Sequence, residues 1–140
     1  MPMDKRKKMM AIVLVLGVLL ALCGCKMINE ERVKLKSLGF SVLSEEVIPE
    51  ELKSIIDERK WEEFQLTYSD ASYLYIVIGY GQQSTGGYSI AVNDLYLTEE
   101  AIYVNTTLLG PKEDNPKNQV PSSPFIVLKT DFIDKPVVFE

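Results

Sequence analysis

The chain has 140 residues, 46% hydrophobic and 25% charged, with 15 Lys and Arg against 20 Asp and Glu, two cysteines and no histidine. That length fits one domain behind a targeting segment, and the missing histidine removes His-built metal centres and His-activated nucleophiles. From Cys25 onward, 11 Lys and Arg face 19 Asp and Glu, a net charge of −8; that excludes the basic footprint of a nucleic-acid partner and a polybasic attraction to anionic lipid.

The N-terminus reads as an export signal. Lys5, Arg6, Lys7 and Lys8 form a basic region, and Met9 to Leu22 is almost wholly apolar. This run is short of the roughly 20 residues that a membrane span needs and fits a secretory signal better. Leu22-Cys23-Gly24-Cys25 then resembles a bacterial lipobox, in which a small residue precedes the cysteine that takes a lipid. Cys25 is the expected lipidation site, because Gly24 is small and Leu22 before Cys23 is not. The mature chain would then hold no other cysteine, which leaves no disulfide framework. The expected organisation is a signal peptide over 1–24, a tether over 25–38 and a single domain over 39–140. The expected location is the bacterial cell envelope, extracytoplasmic and anchored to the membrane through lipid on Cys25.

Val33 and Leu35 mark a short strand start within the charged tether, and Phe40 to Leu43 reads as an edge strand. Pro49 opens a helix to about residue 60. Glu50 and Glu51 suit its N-terminus, Arg59 and Lys60 suit its C-terminus, and Leu52, Ile55 and Ile56 make one apolar stripe. Trp61, the one tryptophan, reads as a core anchor between helix and sheet, with an exposed platform as the alternative. Strands follow over Phe64–Tyr68, Tyr73–Ile78, Tyr88–Val92 and Ile102–Leu108. Leu74, Ile76 and Ile78 line one face of the second, and Tyr73, Tyr75 and Val77 the other, so it should be central. A proline-rich exposed loop over 110–123 precedes Phe125–Leu128 and Val137–Phe139, with the Ser123-Pro124 bond a candidate for the cis form. Short connections favour hairpins, giving an α+β or mainly-β fold. Its core would be a twisted antiparallel sheet, sandwich-like or a half-barrel, with one packed helix.

The densest stretch of backbone-shaping residues is Gly79 to Tyr88. Four glycines there point to a hairpin loop whose flanking strands pair. Gly81, Gln82, Gln83, Ser84, Thr85, Gly86, Gly87 and Tyr88 form the candidate binding loop, with the side chains of Gln82, Gln83 and Thr85 reaching outward. Ser84 has no base to activate it, so no catalytic residue, metal site or cofactor is expected. The adjacent pairs Glu45-Glu46, Glu50-Glu51, Glu62-Glu63 and Glu99-Glu100 read as solvated surface, and the tyrosines of the strand half as sheet filling or, if they share one face, a binding patch.

A strand ending in glycine, then Thr85-Gly86-Gly87-Tyr88 opening the next strand, and later Pro124-Phe125 opening another, resembles the C-terminal domain family of the protease-complex lipoprotein PrcB from about Tyr73 to Phe139. Phe125 stands where that family more often has tyrosine. The resemblance implies an exported, lipidated, non-catalytic protein with a protein partner, for example a cell-surface protease complex. Two other readings are a protease inhibitor resembling the chagasin family, whose inhibitory loop carries Thr-Gly-Tyr, and a cell-wall carbohydrate binder using Trp61 and the tyrosines.

Overall fold

The computed structural model describes residues 32–112 and 119–140, together with Lys5. Cys25 and its lipobox lie outside them. Residues 33–140 form one compact unit. Its elements in chain order are β1 (Lys36–Ser37), β2 (Ser41–Val42), a 3-10 turn (Glu45–Val47), α1 (Glu50–Arg59), β3 (Glu63–Ser69), β4 (Tyr73–Tyr80), β5 (Ser89–Leu97), β6 (Ile102–Leu109), β7 (Phe125–Asp131) and β8 (Val137–Phe139). They build two open four-stranded sheets, ordered β1-β5-β6-β8 and β2-β7-β4-β3.

The two sheets close on a shared core. Leu74, Ile76 and Ile78 of β4 and Ile126 and Leu128 of β7 meet Leu95 of β5 and Ile102 and Val104 of β6. A second core lies on the other face of the second sheet, where Leu52 and Ile56 of α1 pack with Ile48 on Tyr75, Val77 and Val127. Each fully buried aliphatic contributes about 1.5–3 kcal/mol. The layers are thus sheet, sheet and helix. β4 lies between β3 and β7, as its two apolar faces require. Lys36 and Ser37, in the stretch read as tether, pair with β5, and Leu38 beside them enters the core.

Four expectations change. β4 and β5 do not pair: both edges of β4 are taken by β3 and β7, so residues 81–88 carry the chain from one sheet to the other instead of turning a hairpin. β8 joins β6 in parallel, because residues 132–136 also cross between sheets and impose no hairpin direction. Trp61 is 58% exposed. The turn after α1 swings it outward with the Lys60 ammonium 5.4 Å from its ring, and Phe64 fills the helix–sheet layer instead. The described residues contain no cis peptide bond, so Ser123-Pro124 is trans. Phe125 continues directly into β7, with the Tyr80 N–H donating to the Pro124 carbonyl at 3.0 Å.

Candidate functional site

The crossover 81–88 is held mainly by its backbone. Gly81 has φ +74, and a Cβ there would meet the Glu63 nitrogen at 3.0 Å, so only glycine fits without strain. Gln82 donates its N–H to the Trp61 carbonyl at 3.2 Å. Gln83 pairs with Ser122 through two backbone bonds, Gln83 N–H to Ser122 O at 2.7 Å and Ser122 N–H to Gln83 O at 3.1 Å. The Ser122 hydroxyl donates to the Thr85 carbonyl at 2.7 Å. The crossover is therefore stitched to the segment leading into β7. Gly87 has φ +85, and a Cβ there would stand 2.9 Å from the Pro111 side chain.

These bonds decide which side chains face water. Gln82 and Ser84 are exposed, Thr85 and Tyr88 are half-buried, and Gly86 is buried. Gln83 turns back, its Nε2 donating to the Tyr80 carbonyl at 3.1 Å, and so does not reach outward from the tip as expected. Exposed Trp61 adjoins the loop through its carbonyl. Ser122 and Pro111 are the members that sequence reasoning missed. Nothing in the sequence signals a backbone pair across nearly 40 positions.

The tyrosines do not form one row. Tyr75 is buried beneath α1, and Tyr80 reaches the first sheet, its hydroxyl 2.6 Å from that of Thr106. Tyr96 and Tyr103 stack across β5 and β6 with centroids 5.3 Å apart. Tyr73 lies under the Lys129 ammonium, 3.9 Å from its ring centroid, beside an open hollow of about 420 Å³ lined by Phe40, Ser41, Lys129 and Asp131. At that end of the sheet the N–H groups of Ser72 and Tyr73 donate to Asp70 at 2.9 and 2.7 Å and hold its carboxyl below the usual range. The Tyr68 phenol is raised by its hydrogen bond to Glu51, and that of Tyr75 by burial. The four acidic pairs are exposed. Among the described residues no group of His, Cys, Asp or Glu is placed to hold a metal ion. No helix among them is long and apolar enough to cross a membrane.

What this geometry offers is a fixed backbone shape with a few polar and aromatic side chains at its rim. Gln82 and Ser84 are exposed on it, with exposed Trp61 at its side. Residues 74–131, from β4 to the end of β7, match the model of the PrcB C-terminal family, a narrower span than the sequence markers suggested. The chain resembles that family across both strands that flank the crossover and the strand its stitch leads into. No curated protein and no solved structure matches the chain.

Proposed function

We propose, from that resemblance and from the lipobox-like Leu22-Cys23-Gly24-Cys25, that the chain is a non-enzymatic binding module, lipid-anchored through Cys25 on the extracytoplasmic side of the cell envelope, that docks or stabilises a partner protein such as a cell-surface protease complex. The observation that carries the reading is the overlap between the family match and the stitched crossover, since residues 74–131 contain the loop, its Ser122 partner and the strands on either side. A loop held by backbone bonds keeps its shape on binding, which lowers the ordering cost of association. The loop is bonded to Ser122 through Gln83 and Thr85, which speaks against the freestanding finger that an inhibitor would insert into a protease cleft.

The test has two parts. Cys25→Ser should abolish labelling by a radioactive fatty acid and release the chain from the membrane fraction; undiminished labelling sinks the anchor. The full chain, cross-linked in its own envelope, should recover a specific partner. Gln82→Ala with Ser84→Ala, its fold confirmed by circular dichroism, should cut that recovery at least tenfold. Unchanged recovery would make the crossover purely structural.

A further inference from the structure

Among the described residues four strands end the two sheets, and they are not alike. β1 and β2 are two residues long and β8 is three, too short to template another chain. β3 is seven residues, pairs with β4 from Glu63 to Ser69 without a bulge, and contains neither lysine nor proline, two common guards of exposed edges. Its bonding pattern fixes which groups face out. The Asp70 N–H donates to the Tyr73 carbonyl. Counting back by twos, Tyr68, Leu66 and Phe64 bond to β4, whereas Ser69, Thr67, Gln65 and Glu63 turn their N–H and C=O away from the sheet.

The two faces beside that edge differ in chemistry. On the helix side Phe64, Leu66 and Tyr68 are half-buried and continue the core under α1. On the other side Glu63, Gln65 and Thr67 are exposed, because the first sheet does not reach over β3. A hollow of about 340 Å³ opens there between β3 and β8, with Glu63 and Glu140 on its rim and Ile78 and Phe139 among its apolar walls.

We propose that β3 accepts an extended segment of a partner protein as an added strand, and that this segment alternates apolar and basic residues. Its backbone bonds the outward groups of Glu63, Gln65 and Thr67. Apolar side chains pair across the strands with Phe64, Leu66 and Tyr68. Lysine or arginine on the opposite face lays its aliphatic stem along the hollow and its charge beside Glu63 and Glu140. A second copy of this chain fits less well, since each copy is acidic. The edge starts at the foot of the crossover, where Gly81 packs on Glu63, so the inference deepens the binding-module reading and rests on it.

The probe is a capped seven-residue peptide alternating valine and lysine, titrated by fluorescence anisotropy against the full chain in detergent. It should bind at least tenfold more tightly than a scrambled peptide of the same composition, and Glu63→Lys should weaken it at least tenfold. Of its two isomers N-methylated on alternate residues, along one edge or the other, one should lose binding at least tenfold; this comparison leaves the protein unaltered, so folding does not confuse it. Equal binding of the scrambled peptide, equal binding of both methylated isomers, or no binding at all would overturn strand addition. The titration reads the edge alone, so its failure is distinct from a failure to recover any partner from the envelope, which would instead sink the binding-module reading.

Discussion

In β4, every residue from Leu74 to Gly79 is buried, whereas β5 and β6 mix buried positions with half-exposed and exposed ones. The difference follows from what covers each sheet. The second sheet has the first sheet on one face and α1 on the other, so both faces of its middle strands must be apolar. The first sheet has the shared core on one face only. Its outer face carries the Tyr96–Tyr103 stack, Val138, and a ladder in which Asn93 donates to Asn105 and Thr107 at 2.6 Å each. A sheet covered twice stores most of the stability; a sheet covered once leaves a face on which side chains are freer to vary.

The comparison breaks first at the core. Ile76, wholly buried between the sheets, and Leu52, wholly buried under the helix, should each cost about 3 kcal/mol on replacement by alanine. Urea denaturation measures both; a loss under about 1 kcal/mol for Leu52→Ala alone would show that the helix layer is not part of the cooperative unit. Next comes Gly79, where an added Cβ would clash with the ring of Phe64 on the neighbouring strand. Gly79→Ala should cost about 1–3 kcal/mol by overpacking. In a Phe64→Leu background the penalty should shrink; an undiminished penalty would place the strain elsewhere.

Gly87→Val, where the chain enters the first sheet at φ +85, should cost roughly 1–3 kcal/mol from backbone strain. A neutral result would mean that the crossover relaxes. On the outer face, Tyr103→Ala should cost less than Ile76→Ala, about 0.5–1.5 kcal/mol for the stack on Tyr96 plus the ring area that is half-buried there. A loss comparable to that of Ile76→Ala would overturn the contrast between the sheets.

The smallest effect is at Asp70, an exposed carboxylate at the tip of the β3–β4 turn. Two backbone N–H groups depress its folded pKa below the ordinary 3.8. Stability from a depressed acid is complete above its unfolded pKa and fades as pH falls through the folded value. The wild-type chain should therefore lose its advantage over Asp70→Asn as pH drops below about 4. Thermal melts at pH 7 and pH 3 check this; a constant gap would discount the carboxylate.

The parts legible in the sequence are those with a short-range cause. Leu52 and Ile56 show α1 through their spacing, and Leu74 through Ile78 shows a central strand through unbroken apolarity. The crossover was legible as a place where backbone shape matters, since Gly81 and Gly87 do take positive φ. Its partners were not. Glycine content reports that a chain bends but not which strands it joins, and β4 loses its free edge only because β7 arrives from 45 residues downstream. The direction of β8 and the outward turn of Trp61 depend in the same way on distant elements. Within the candidate site Gln82 is at the surface as expected, but Thr85 is half-buried, and the inward fold of Gln83 depends on carbonyls that only the folded loop presents.

The insertion of β7 between β2 and β4 also bears on how the chain is made. In an N-to-C emergence, Tyr73 to Ile78 leaves the ribosome or the export channel long before Phe125 to Asp131. Until then β4 has one neighbour and one open edge. That run, Tyr-Leu-Tyr-Ile-Val-Ile, is uncharged, free of proline and rich in β-formers, the composition of a segment that stacks into cross-β aggregates. The hazard lasts for the synthesis of about 45 residues, and a chain cut before Phe125 retains it permanently. Such a fragment should turn solutions cloudy at concentrations where the complete chain stays clear, so the last strands act as the guard on the middle one.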